Sequence, residues 1–191
     1  FGDAPVIEVS GRLYPVEVEY ADTDEADGAD ETYVDVAVQA VERIASKRRG
    51  GDVLVFMPTE QDIRETCERI DARGFPDTTV LPLFARLPAS QQRRVFSSGP
   101  GRKVVVATNV AETSLTIPGI RYVVDTGLAR IPRYHPSTRT TSLAVAPISR
   151  SSADQRKGRC GRVRAGICIR LYSEESYESR PEHTPPEILR S

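Results

Sequence analysis

Asp52-Val-Leu-Val-Phe-Met-Pro-Thr-Glu-Gln-Asp-Ile63 holds both halves of a β-α unit. Val53–Met57 is an unbroken apolar run, the pattern of a strand buried on both faces. Thr59 can cap a following helix that places Ile63, Cys67 and Ile70 on one side. Upstream, Val34, Ala37, Val38, Val41, Ile44 and Ala45 follow helical periodicity from Thr32 until Lys47-Arg-Arg49 and Gly50-Gly51, a basic ending suited to a helix C-terminus. Downstream, the alternation repeats: a strand over Thr79–Leu83, a helix opened near Leu87-Pro88 and closed at Phe96, and a strand over Lys103–Ala107. Val16, Val18 and Tyr20 alternate with Glu17 and Glu19 as a half-exposed strand, and further strands are predicted at Tyr122–Asp125 and Ile167–Leu171. Alternating elements of this kind predict an α/β fold with a mostly parallel sheet covered by helices.

One segment departs from that rhythm. Between Leu128 and Ile148, two stretches of interleaved polar and apolar residues flank a Pro/Ser turn, which predicts a β-hairpin projecting from the sheet. A tolerated surface insertion is the alternative.

The chain has 191 residues, enough for one well-buried domain, and no apolar run approaches the length of a membrane span. Its start lacks the basic and apolar segments of a signal peptide, and it is read as soluble and cytoplasmic. Cys67, Cys160 and Cys168 show no C-x-x-C spacing, so they are read as reduced thiols, and His135 and His183 lie far apart, so no metal site is predicted. The net charge of −1 hides an asymmetry. Residues 1–31 hold ten acids against Arg12, whereas residues 121–170 hold eleven Arg/Lys against Asp125 and Asp154. The basic part could face a polyanion, or folding could intermix the charges.

Two motifs carry chemistry. In Ala107-Thr-Asn-Val-Ala-Glu-Thr-Ser-Leu-Thr-Ile117, Thr108, Asn109, Glu112, Thr113, Ser114 and Thr116 follow an apolar strand and so lie near the sheet's C-terminal edge, where open α/β sheets bind ligands. Hydroxyl and amide groups there, with the N–H groups of a starting helix, can hold phosphates or sugars, although a capped strand-to-helix turn has the same look. In Gln155-Arg-Lys-Gly-Arg-Cys-Gly-Arg162, the spacing of Arg156, Arg159 and Arg162 would fan three guanidiniums across one side of a helix, while Gly158 and Gly161 admit a phosphate or another backbone. The planar fork of arginine suits phosphoryl oxygens, and a solvated basic face is the competing reading. Asp24-Glu-Ala-Asp27 spells a metal-binding acidic tetrapeptide, but its polar surroundings and the lack of a phosphate loop upstream make it a solvated loop.

Together these two motifs and their spacing resemble motifs V and VI of DEAH-box superfamily-two RNA helicases of the HrpA-like bacterial branch. Asp52–Ile63 resembles motif IV, and Leu81-Pro-Leu-Phe-Ala-Arg-Leu-Pro88 through Gln92-Arg-Arg-Val-Phe96 resembles the segment that follows it. Residues 1–15 resemble the connector leaving a first RecA-like domain. Residues 16–178 resemble the second RecA-like domain, a three-layer α/β/α unit with its hairpin at about 129–147. Residues 179–191, through Arg180-Pro-Glu-His-Thr-Pro-Pro-Glu-Ile-Leu189, resemble entry into a winged-helix domain.

The resemblance implies a parent ATP-dependent RNA helicase using ATP with magnesium. Arg159 and Arg162 would be arginine fingers reaching ATP bound on the first domain, with Gln155 positioning the γ-phosphate or the attacking water. Phe96 would stack on the base, although it could also be core, and Thr116 and Asp125 would contact ribose or the cleft. Asn109, Thr113 and Arg86 would grip single-stranded RNA. Arg156 is open between phosphate contact and a structural ion pair. No Gly-x-x-x-x-Gly-Lys-[Ser/Thr] occurs in the chain, so it is expected to hold no ATP and to hydrolyse none alone. The alternative is a non-catalytic RNA-binding module using the same basic surface.

Overall fold

Thr59 starts the helix after the first buried strand by a reciprocal cap. Its hydroxyl accepts the Asp62 backbone N–H at 3.1 Å, and the Asp62 carboxylate accepts the Thr59 N–H at 3.1 Å. This unit, β2 (Asp52–Phe56) followed by α2 (Glu60–Ala72), is the centre of the computed structural model, which describes residues 14–21, 31–46, 50–113, 116–135 and 140–184. The other elements are β1 (Val16–Tyr20), α1 (Tyr33–Ser46), β3 (Thr78–Leu83), α3 (Ala89–Arg94), β4 (Arg102–Ala107), β5 (Ile120–Asp125), β6 (Leu128–His135), β7 (Thr140–Pro147), α4 (Arg150–Lys157), β8 (Gly166–Arg170) and α5 (Glu174–Glu178).

Six strands form one parallel sheet in the order β1-β8-β5-β2-β4-β3. Successive residues of a strand point to opposite faces, so residues two apart share one, and the core divides accordingly. Val53, Val55 and Met57 pack with α1 and α2 through Val41, Ile44, Ile63 and Ile70. Leu54 and Phe56 pack on the other face with Val95, Ala111, Ile117 and Cys160. Helical layers on both faces of a parallel sheet make the three-layer RecA-like architecture. β2 lies between β4 and β5, all three parallel, so the chain leaving the carboxyl end of β4 passes across the face of β2 to enter β5. The polar segment after Ala107 thereby starts at the sheet's carboxyl edge, with the Thr108 N–H on Leu83 O, and ends at the amino end of β2, with Gly119 O accepting the Asp52 N–H.

β6 and β7 form a separate antiparallel ribbon, pairing Leu128 with Pro147 and His135 with Thr140. Its root is closed by the Ile148 N–H donating to Gly127 O at 2.9 Å. Ala129, Ile148 and Ala153 pack together beneath it.

Three details differ from what the sequence predicts. α3 ends at Arg94 rather than Phe96, and the next residue, Val95, takes the buried position. β4 leads not into a helix but into a single 3-10 turn, Asn109–Ala111. α4 stops at Lys157, so only Arg156 of the three spaced arginines is helical. Just after α5, Arg180 donates to Gly127 O at 3.0 Å, and Pro181 O accepts the Arg150 N–H at 3.0 Å. The Asp24–Asp27 tetrapeptide, the connector through Leu13, Ser114, the hairpin turn at 136–139 and residues 185–191 lie outside the described residues.

Candidate functional site

Ser149 begins α4 by accepting the Ser152 N–H at 3.3 Å, and Gly158 ends it. Beyond Gly158 the backbone turns, with the Arg159 N–H donating to Arg156 O at 3.0 Å. Gly161 then adopts φ +77°, where a Cβ would lie 2.5 Å from Val16 Cγ2 and 2.9 Å from Tyr14 O. This glycine is required by the close approach of β1 and the residues leading into it, where the Tyr14 N–H donates to Gly161 O at 2.8 Å. Of the two neighbours these glycines could admit, a phosphate or another backbone, Gly161 meets backbone.

The turn separates the arginines into two environments. Arg156 is 1% exposed and stacks on the Phe56 ring at 4.7 Å. Its Nη1 donates to Asp125 Oδ1 at 2.7 Å, its Nε to Glu112 Oε2 at 3.0 Å and its Nη2 to Leu128 O at 3.1 Å. Burial opposes its charge, but the two carboxylates more than offset it and hold its pKa above the ordinary arginine value. Arg156 is therefore the structural ion pair of the two roles open to it. Arg159 and Arg162 instead face a shallow recess they line with Leu54, Thr116, Ile117 and Ile120. Arg159 Nη2 donates to Glu112 O and to Thr113 O, the latter at 3.1 Å, and Arg162 Nη1 donates to Thr116 Oγ1 at 3.4 Å. Burial and the neighbouring Arg162 charge push the Arg159 pKa down. Two like charges held close by the fold favour an anion between them.

The other candidates are distributed unevenly. Gln155 is exposed on α4, one turn before Arg159. Thr116 is exposed beside Arg162. Asn109 and Thr113 are exposed on the segment between β4 and β5. Arg86 follows β3 with its side chain 81% exposed, and its Nε donates to Glu60 Oε1 at 2.9 Å. Phe96 stands 37% exposed after α3, which rules out the core reading. Asp125 is fully buried, with Oδ1 taken by Arg156 and the Gly127 N–H and Oδ2 by the Tyr172 hydroxyl at 3.0 Å.

Sequence reasoning gave Glu112 no role. Its carboxylate joins Arg156 and the Ser152 hydroxyl, and its carbonyl accepts Arg159, so one residue of the β4–β5 segment holds three residues of α4 and its turn. Nothing local in the sequence marks a pairing across 44 positions. Among the described residues, no group of three His, Cys, Asp or Glu is placed to hold a metal ion. No described helix is long and apolar enough to cross a membrane.

The parallel sheet with helices on both faces defines a RecA-like α/β domain. Residues 36–164 match the helicase conserved C-terminal domain, and the chain belongs to that family. It is 54% identical over its whole length to the ATP-dependent RNA helicase HrpA of Escherichia coli K12, spanning 15% of that protein. It is 42% identical to the pre-mRNA-splicing factor ATP-dependent RNA helicase prp22 of Schizosaccharomyces pombe, spanning 17% of it. The crystal structure of the Escherichia coli DExH-box NTPase HrpB superposes on 95% of the chain with a TM-score of 0.85 at 37% identity, over 22% of that protein. The HrpA-like, DEAH-box resemblance is thus shown, and the chain spans less than a fifth of the helicases it matches by sequence.

Proposed function

We propose that this chain is the second RecA-like domain of an ATP-dependent RNA helicase, supplying Arg159 and Arg162 to ATP held by a first RecA-like domain. The observation that carries the reading is the pair of guanidiniums at one recess, where burial and mutual repulsion already disfavour the Arg159 charge. A polyphosphate anion presented across the domain cleft would relieve that repulsion, and the charge it gains in a transition state would be met by donors fixed beforehand. The donor set of the recess, two guanidiniums and the Thr116 hydroxyl, fits such an anion. Magnesium and the phosphate cradle belong in this reading to the first domain, because the chain has no phosphate loop. Gln155, exposed one turn earlier, would orient the γ-phosphate or attacking water, and Phe96 would stack on the base.

RNA would be gripped by Asn109, Thr113 and Arg86. Amide, hydroxyl and guanidinium groups bind a phosphate-sugar backbone without reading sequence. Arg86, itself exposed, would exchange its half-buried Glu60 partner for phosphate, an exchange made easy by the small worth of surface pairs. ATP-driven closure of the two domains would shift these grips along single-stranded RNA, with the β6–β7 ribbon near the duplex junction. The winged-helix domain completes the parent in this reading, and a cytoplasmic location goes with it.

The test is Arg162→Ala in the full-length protein. RNA-stimulated ATP hydrolysis should fall by roughly 10³-fold or more while RNA binding at moderate salt changes little. Near-normal hydrolysis, with RNA affinity lost in a salt-dependent way, would instead make the recess a site for RNA phosphates.

A further inference from the structure

Lys103 is buried in β4, 8% exposed, although no part of the site just described uses it. Its ammonium donates to Val95 O at 2.6 Å and Ser97 O at 3.3 Å, and lies 3.7 Å from the Asp52 carboxylate. Two of the three N–H groups of the ammonium are taken by carbonyls of this chain and its charge is balanced by Asp52, so it is an anchor rather than a spare cation for an outside anion. The two carbonyls it holds are those immediately before and after Phe96. They belong to a stretch that needs an anchor: α3 has ended at Arg94, and residues 96–101, Phe-Ser-Ser-Gly-Pro-Gly, are exposed and outside any helix or strand. Asp52 fixes the base of the anchor by accepting the Lys103 backbone N–H at 2.9 Å, and both residues stand at the amino ends of central strands.

We infer that Lys103 is a positioning residue that clamps the backbone on both sides of Phe96 and presents its ring, ready oriented, to the base of the nucleotide. The inference rests on the reading of Phe96 as the base platform. An exposed ring on an unanchored Gly-Pro-Gly segment would have to be ordered each time a nucleotide bound, and that ordering entropy is subtracted from affinity. A clamp made of one buried cation and two carbonyls removes the cost in advance. It acts on the base alone, since the triphosphate is met elsewhere, by Arg159 and Arg162.

The experiment is a double-mutant cycle in the full-length protein, comparing hydrolysis of ATP with that of ribose 5-triphosphate, which lacks the base. Lys103→Met should raise KM for ATP roughly fivefold, within the scale of a lost base–aromatic contact, with kcat and the KM for ribose triphosphate little changed. In a Phe96→Ala background, Lys103→Met should raise KM no further, because it acts through a ring already removed. Should Lys103→Met fail to fold, Asp52→Asn with Lys103→Met keeps the buried pair neutral and carries the same expectation. Additive effects of the two substitutions, or equal effects on both substrates, would overturn the clamp while leaving Phe96 as the platform. Unchanged KM for ATP in Phe96→Ala alone would overturn the platform itself, and the clamp with it.

Discussion

Arg156 and Glu112 are joined at 3.0 Å with side chains 1% and 12% exposed, and this pair ties the segment after β4 to the helix that precedes Arg159 and Arg162. On its other side Arg156 meets Asp125, which has no exposure at all. The guanidinium thus lies between two carboxylates that water barely reaches. Breaking such an arrangement from one side strands charge in the interior.

Arg156→Met should therefore cost about 3–5 kcal/mol of folding stability, the scale for removing one partner of a buried pair. Arg162→Met, at an exposed position only six residues later, should stay within about 0.5 kcal/mol. Urea unfolding at neutral pH measures both. Equal stability losses would show that the two arginines are not in different environments.

Asp154 accepts Arg170 at 2.9 Å and Lys157 at 3.0 Å on one oxygen and the Tyr177 hydroxyl at 3.0 Å on the other. Burial raises its pKa, but hydrogen bonds from Lys157 and Tyr177, the Lys157 charge and the Arg170 hydrogen bond outweigh it, and the net direction is down. A depressed carboxylate pKa stabilises the fold above the unfolded value, about 3.9 for Asp, and that contribution disappears as pH falls through the folded value. Asp154→Asn should accordingly be less stable than the parent near pH 7, with the gap narrowing below about pH 4. A gap constant from pH 7 to pH 2 would mean that the charge contributes nothing.

The root of the β6–β7 ribbon is fastened by Arg156 on Leu128 O and by Arg180 on Gly127 O, both at the sheet end rather than the far end. Deleting Ile131–Thr141 from the full-length protein leaves those contacts in place. Duplex unwinding should fall much more than RNA-stimulated ATP hydrolysis, assayed in parallel on one preparation. Equal loss of both activities would mark the ribbon as part of the domain's structure rather than its work on the duplex.

The strands and the first helices were legible because their signals are local. Val53–Phe56 could be read as a buried strand and Thr59 as a cap from neighbouring residues alone, since burial on both faces and reciprocal capping act over a few positions. The hairpin was legible for the same reason, its two strands lying on either side of a Pro/Ser turn. Spacing misled at the arginines. Residues three apart share a face only while the helix lasts, and α4 ends at Lys157 with Gly161 in a left-handed turn. Phe96 was ambiguous because a position at the edge of an amphipathic pattern changes side when the helix stops two residues early.

By itself, then, the sequence determined the order of strands and helices, the family, and the residues near the carboxyl edge of the sheet. Those follow from periodicity, capping and motif spacing, all short-range along the chain. Only the tertiary structure decided that Asp125 is a buried counter-ion, that Arg156 belongs to Glu112 and Asp125 while Arg159 and Arg162 face the recess, and that Lys103 holds the carbonyls around Phe96. Each of these depends on which charged groups the fold removes from water and which partners it brings to them, and the partner of a buried charge is chosen by distance in space rather than by position along the chain.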